Sequence, residues 1–235
     1  MAAAVSGSGR LMTPGCVERK QYAEGPGADT YRVRSREFLH GMERLVAAMA
    51  LIVLSPVLIG IAIVIALLSR RNPLIRHNRV GWRGRPLRVL KFRTMWDARS
   101  RGAGRFAIEN VSGPVPPLKR SMDPRVNSRF AAFCRRHSLD ELPQLYHVVT
   151  GEMSLVGPRP ITVEELRDHY GFSTGEVLSV RPGMTGLWQV RGRSRLSYAR
   201  RKRFDLMLVR RASAGLYLGI LLRSFAAVLS GRDAY

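Results

Sequence analysis

From Leu45 to Leu68 the chain reads LVAAMALIVLSPVLIGIAIVIALL, a run of 24 residues without one charge. That length exceeds the ~18–20 apolar residues needed to cross a bilayer core. A core helix of a soluble domain rarely stays apolar on every face over such a distance, so the pattern predicts membrane insertion. Ser55-Pro56 lies in the middle of the run. Proline removes a backbone donor and crowds the preceding turn, which predicts a break there. The Ser55 hydroxyl is well placed to answer the freed carbonyl. Basic residues crowd both ends, with Arg32, Arg34, Arg36 and Arg44 before the run and Arg70, Arg71, Arg76 and Arg79 after it. Because basic loops stay on the cytoplasmic side, this balance favours a re-entrant helix that turns at Ser55-Pro56 and returns. A plain single span is the alternative that the charges leave open.

Beyond residue 70 the pattern is that of a mixed domain. Residues 87–92, LRVLKF, alternate like a short strand, and the GWRGR before them reads as a turn. Helical periodicity covers 127–137, 141–150, 161–170 and 197–212. Residues 97–122 read as a loop, and 179–193 holds too many Gly and Pro for a regular helix. The stretch 215–230, GLYLGILLRSFAAVLS, is apolar but broken by Arg223, which suits an interfacial or packing helix. Residues 1–30 are small, polar and free of an apolar signal core, so they read as a disordered tail. The expected organisation is a tail over 1–37, a membrane-inserted helix over 38–70 and a compact catalytic domain over 71–235. The fold class is α/β and mostly helical, with amphipathic interfacial helices.

Charge narrows the partners. The 235 residues carry 39 Lys+Arg against 17 Asp+Glu, a formal net charge of +22. Lysine occurs only at 20, 91, 119 and 202. Such a chain meets an acidic partner: nucleic acid, anionic lipid or a phosphorylated small molecule. No zinc-finger, RRM or KH pattern is present, and a long apolar run is foreign to nucleic-acid binders, so nucleic acid is not the expected partner. Cys16 and Cys134 match no C-x-x-C spacing, and the five histidines are dispersed, so neither a disulfide framework nor a zinc site is expected.

The chemistry concentrates in residues 138–160, SLDELPQLYHVVTGEMSLVGPRP. Asp140 and Glu141 stand side by side, shortly after Arg135 and Arg136. One reading is a helix start, since Ser138-x-x-Glu141 is a capping-box pattern and Asp140 is itself a good cap. The other is catalysis: an ionised carboxylate can attack phosphorus, or hold Mg²⁺ together with substrate phosphates.

Residues 135–160 resemble the signature of the bacterial sugar transferases, the monotopic phosphoglycosyl transferases that begin glycan assembly on undecaprenyl phosphate. The resemblance extends over about residues 38–235. It includes Ser55-Pro56, Arg79-Val-Gly81, Lys91-Phe-Arg93-Thr-Met95, Asp123-Pro-Arg125 and Val180-Arg-Pro-Gly183-Met-Thr-Gly186. It continues with Gln189-Val-Arg-Gly-Arg193 and ends at Gly231 to Tyr235.

The resemblance implies a reaction in which Asp140 attacks the sugar-bearing phosphorus of a UDP-sugar donor, assisted by Glu141. UMP would leave, and undecaprenyl phosphate would then take the phosphosugar. Mg²⁺ would sit at Asp140. Lys91, Arg93, Arg135 and Arg159 are the implied phosphate-binding residues, and Gln189 and Arg193 the implied nucleotide contacts. Membrane lipids and downstream glycosyltransferases are the further partners, at the bacterial inner membrane with the catalytic domain facing the cytoplasm. Asp123 reads as a turn opener. Trp82, Trp96 and Trp188 are divided between membrane interface and core.

Several positions depart from the family. Its usual Lys-Arg pair and Asp before the apolar run are Leu39-His40 and Glu43 here. Its usual Gln is His77, and its Asn-Val-Leu is His147-Val-Val149. Many members carry an Asp where Tyr217 stands. A catalytically degenerate, membrane-anchored scaffold is therefore the competing reading.

Overall fold

The computed structural model describes residues 30–95, 128–192 and 196–231. The long helix α1 spans Thr30–Ser69 and is assigned as helix without interruption. It begins before the boundary expected at 38. Ser55-Pro56 does not end it, and the reason is local. Pro56 lacks the N–H that would reach the carbonyl of Ile52, four residues back. Ser55 Oγ donates to that same carbonyl at 2.7 Å. The expected break is thus a substituted hydrogen bond inside a continuous helix.

The apolar run is not equivalent on all faces. Ala47, Leu51, Leu54, Leu58, Ile61 and Ile65 recur at alternating spacings of four and three, the seam of a packed helix. Their first half meets Leu87, Val89, Leu145, Val148 and Met153. The second half meets Phe92 and Cys134, with Leu74 and Leu139 beside them. Both sides of Ser55-Pro56 therefore rest on the same domain. The opposite face is bare: Ile52 is 73% and Val53 75% exposed.

After α1 come the strands β1, Leu74–Val80, and β2, Pro86–Phe92, paired antiparallel with Ile75 opposite Lys91, His77 opposite Val89 and Arg79 opposite Leu87. The turn between them is tight, with Arg83 at φ 54° and Gly84 at φ 75°. The short helix α2, Arg129–Arg136, leads into a 3-10 helix over Leu139–Gln144 and then α3, Leu145–Thr150. Next are β3, Ser154–Val156, and α4, Val163–Glu165, which widens through Leu166–Tyr170. Helix α5, Thr174–Leu178, precedes β4, Gly183–Thr185, which runs parallel to β3. Helices α6, Leu187–Arg191, α7, Tyr198–Arg210, and α8, Ala214–Ser230, complete the described chain. Over 179–192 there is no long helix: the segment supplies the short strand β4 and the five-residue α6, with Gly186 just ahead of α6.

Two glycines explain how β3 meets β4. A Cβ on Gly183 would lie 2.0 Å from the Gly157 nitrogen, and one on Gly157 would lie 2.6 Å from the Arg181 carbonyl. Only bare backbone permits this approach. Gly157 N donates to Thr185 O at 2.9 Å and Gly183 N to Pro158 O at 2.8 Å. The Gly-Pro-Arg-Pro loop is thereby clamped onto the Arg-Pro-Gly-Met-Thr-Gly segment.

Helix α8 has two faces. Ile220 is buried with Val156, Leu187 and Leu208. Leu218, Leu222, Phe225 and Leu229 form an exposed apolar stripe, as an interfacial helix requires. Trp188 belongs to the core at 7% exposure, and Trp82 Nε1 donates to Ser179 O at 3.1 Å. Trp96, Asp123 and Arg193 lie outside the described residues.

Candidate active site

The carboxylate pair sits on a forced turn. Ser138 is left-handed at φ 53°, a conformation costing a non-glycine residue about 1–2 kcal/mol. Its side chain makes no capping bond, so the capping box expected at Ser138-Glu141 does not form. The box appears instead at α4, where Thr162 and Glu165 cap one another. The turn at Ser138 reverses the chain after α2 and directs Asp140 inward, leaving it 8% exposed.

Burial pushes the Asp140 carboxyl up to about 6, with Glu141 adding to the rise and Lys91 and Arg135 opposing it. Desolvation disfavours the carboxylate, while the two cations keep it within reach of ionisation near neutral pH. Glu141 accepts from Lys91 Nζ at 2.5 Å and lies 3.8 Å from Arg159 Nη1. Arg135 Nε is buried without a hydrogen-bond partner.

Cross-strand neighbours share a face of the hairpin, so His77, Arg79, Val89 and Lys91 look the same way. They form one wall of a shallow, open cleft, completed by Glu141, Gln144, Arg159, Pro160, Met184 and Gln189. Lys91, Glu141, Arg159 and Gln189 are thus brought together, with Asp140 and Arg135 beside them. Gln189 Nε2 donates to Met184 O at 3.1 Å, while its Oε1 is buried and unsatisfied, an acceptor suited to a ligand N–H. Arg93 departs from expectation. It does not line the cleft, is 1% exposed, and its Nε donates to Asn72 O at 3.0 Å. Alternation by itself would set positions 91 and 93 on one face, but β2 ends at Phe92, which is buried against α1, so Arg93 lies past the strand and bonds the Asn72 carbonyl instead.

Three residues of the site escaped the sequence reading. His77 and Arg79 line the cleft because 74–80 is a strand, a pattern obscured by its polar alternate residues. Asp205 lies beneath the site at 1% exposure and accepts from Tyr170 Oη at 2.7 Å. Burial pushes its carboxyl up to about 7, tempered by the Tyr170 hydrogen bond and by Arg159 and Arg201. It is the sole acid between Glu176 and Asp233, a signal available in an arginine-rich sequence.

Tyr217 does not line the cleft. Its hydroxyl donates to Glu43, whose carboxylate also accepts from Ser154 Oγ at 2.6 Å and Leu155 N at 3.0 Å. The departure at 217 therefore falls at a junction of α1, β3 and α8. His147 is likewise structural, accepting from Leu90 N at 3.1 Å and bonding Glu152 at 2.7 Å.

Among the described residues no group of three or more His, Cys, Asp or Glu forms a preformed metal cage. Mg²⁺ needs less, since it commonly takes one or two carboxylates plus substrate phosphates. Asp140 fits that use: it is an oxygen donor whose carboxylate form is disfavoured by burial and by the adjacent Glu141, and a cation would relieve both.

The chain matches the family described as bacterial sugar transferase over residues 35–231. It is 39% identical over 211 residues to the UDP-galactose-lipid carrier transferase of Erwinia amylovora, an alignment covering 86% of this chain and 42% of that protein. It is 37% identical over 194 residues to the exopolysaccharide production protein ExoY of Sinorhizobium fredii, covering 81% and 85% respectively. It is 33% identical over 198 residues to the UDP-glucose:undecaprenyl-phosphate glucose-1-phosphate transferase of Klebsiella pneumoniae, covering 81% and 40%. The chain thus spans less than half the length of two of these relatives.

Proposed function

The chain belongs to the bacterial sugar transferase family, and we propose that it transfers a sugar-1-phosphate from a UDP-sugar to undecaprenyl phosphate, releasing UMP. The observation that carries this reading is the Asp140-Glu141 pair at the edge of a cleft walled by Lys91, Arg79 and Arg159. A nucleophile for phosphorus and cations for a diphosphate meet in one place.

In the first step an Asp140 carboxylate oxygen bonds to the sugar-bearing phosphorus. The bond from that phosphorus to the bridging oxygen breaks, and the electron pair leaves with UMP. In the second step a phosphate oxygen of undecaprenyl phosphate bonds to the same phosphorus, and Asp140 departs as the free carboxylate. Splitting the transfer lets a soluble donor and a lipid acceptor use one site in turn. Lys91 and Arg159 draw off negative charge as it builds, and such preorganised donors often supply the largest part of catalysis. Glu141 holds Lys91 in place at 2.5 Å. Mg²⁺, held by Asp140 and the donor's own phosphate oxygens, would add neutralisation that lets two anions approach. Gln189 Oε1 is free to accept from the base.

The placement is a membrane surface, with the catalytic domain on the cytoplasmic side of the inner membrane. Both halves of α1 rest on one domain while the other face stays apolar, which supports insertion from one side. The exposed stripe of α8 lies in the same interface. Relatives named for galactose and glucose transfer support a hexose as the sugar, and exopolysaccharide assembly as the setting, with downstream glycosyltransferases as partners.

The test is UMP release from a panel of UDP-sugars in membrane fractions supplied with undecaprenyl phosphate. Release should require Mg²⁺ and vanish in Asp140→Asn. Undiminished turnover in that variant would remove the nucleophile. Labelling of cysteines placed at each end of 45–68 from opposite sides of the membrane would remove one-sided insertion.

A further inference from the structure

Of the charged residues lining the cleft, three are cations (Arg79, Lys91 and Arg159) and one is an anion (Glu141). Lys91 is answered by Glu141 at 2.5 Å, while Arg159 reaches the same carboxylate only at 3.8 Å. Arg79 has still less. Its guanidinium donates to Asn78 O at 3.4 Å, a weak bond to its own neighbour. Glu165 and Glu164 lie within electrostatic reach, but neither is hydrogen-bonded to the guanidinium, and Thr162 N occupies Glu165 Oε2 at 3.0 Å and Tyr198 Oη its Oε1 at 3.2 Å. Three cations against one anion leave the lining with two positive charges.

Arg79 and Arg159 also repel each other. Burial, and then the like charge of Arg159, hold the Arg79 pKa below its ordinary value. A partly buried pair of like charges is costly unless an anion joins it. The strand register says where that anion sits. Arg79 faces Leu87 and Lys91 faces Ile75, so the two cations stand four residues apart on one face, about 13 Å at the backbone. The Asp140 end of the cleft is therefore distinct from the Arg79 end, and Arg159 reaches between them.

Resting on the donor reading above, we propose that Arg79 and Arg159 form a two-guanidinium clamp for the phosphate that leaves with the nucleotide. A phosphate monoester carries about −1.5 to −2 near pH 7, matching the net positive charge of the lining. During the first step the breaking P–O bond delivers its electron pair to this phosphate. Its charge grows where the clamp is fixed. Guanidinium forks suit such an oxyanion better than an ammonium does. Arg79 is thus a substrate-binding residue that favours departure of the leaving group.

The experiment compares UMP and uridine binding to the membrane-extracted full chain by titration calorimetry, in wild type, Arg79→Gln and Arg79→Lys. Loss of one charge-assisted contact should weaken UMP about 10- to 100-fold in Arg79→Gln, with a smaller loss in Arg79→Lys. Uridine binding should stay level, which also shows that the variants are folded. Equal UMP affinity in Arg79→Gln and wild type would overturn the clamp, as would a wild type that binds uridine as tightly as UMP. If UMP release is intact in either of those cases, the clamp falls and the transfer reading stands. If wild type releases no UMP yet binds pyrophosphate in an Arg79-dependent way, the clamp stands and the transfer reading falls.

Discussion

The hydroxyl of Tyr217 on the last helix donates to the carboxylate of Glu43 on the first, across 174 residues of chain. Glu43 also accepts from His40 Nδ1 at 2.8 Å, from Ser154 Oγ and from Leu155 N. In sequence, His40, Glu43 and Tyr217 are three separate departures from the family pattern. In the structure they are one cluster. With Tyr at 217, Glu43 meets a neutral donor there rather than a second carboxylate. This cluster ties the apolar helix α1 to β3, the strand that delivers Arg159.

Tyr217→Phe should cost about 1–2 kcal/mol, because Glu43 keeps its other donors. Tyr217→Asp should cost more, by setting two carboxylates together, and His40→Arg should restore part of the loss. Thermal unfolding in detergent reads both effects. Additive behaviour of the Tyr217→Asp and His40→Arg pair would refute the coupling.

If Asp140 is the proposed nucleophile, its carboxyl near 6 should set the acid limb of activity. As the nucleophile must be ionised, kcat/KM should rise with pH through about 6 and level off above it. Lys91 favours the carboxylate, so Lys91→Met should move that limb up by about 1 unit. Glu141 disfavours it, so Glu141→Gln should move the limb down. A limb that stays in place in both variants would mean that another group governs it.

Asp205 couples stability to pH with the opposite sense from a salt-bridged acid. Its folded-state pKa of about 7 lies above that of an unfolded aspartate, near 4. The neutral form thus favours the fold, and this contribution is full below about pH 4 and lost as pH rises through about 7. Asp205→Asn still offers Tyr170 an acceptor and removes the titration. Its melting temperature should fall less than that of wild type from pH 6 to 8, above the range where Asp140 titrates. Parallel curves would show that Asp205 does not titrate there.

Gly183→Ala would place a methyl 2.0 Å from the Gly157 nitrogen, with backbone on both sides. The expected cost is at least about 3 kcal/mol, read as lost folded yield or a lowered denaturant midpoint. Gly219→Ala on α8, where nothing stands within 4 Å, is the control. It should be neutral or stabilising by up to about 1 kcal/mol. Similar losses in both would point to a general intolerance rather than to the β3–β4 clamp.

Local pattern by itself determined much of this protein. The charge-free run marks α1, and Ser55 next to Pro56 marks the donor that replaces the proline's missing N–H. The ordered motifs mark the family and the carboxylate pair. These features are legible because each depends on neighbours within a turn or two, where periodicity and side-chain chemistry act directly. The tertiary structure alone decided which face of α1 packs, since an all-apolar helix carries no polar stripe to orient it. It also separated Lys91 from Arg93, brought Arg79 beside Arg159, and set Asp205 beneath the cleft. Among 35 arginines, sequence cannot say which ones gather in the cleft. That depends on burial and on partners a hundred residues away, and only folding brings those together.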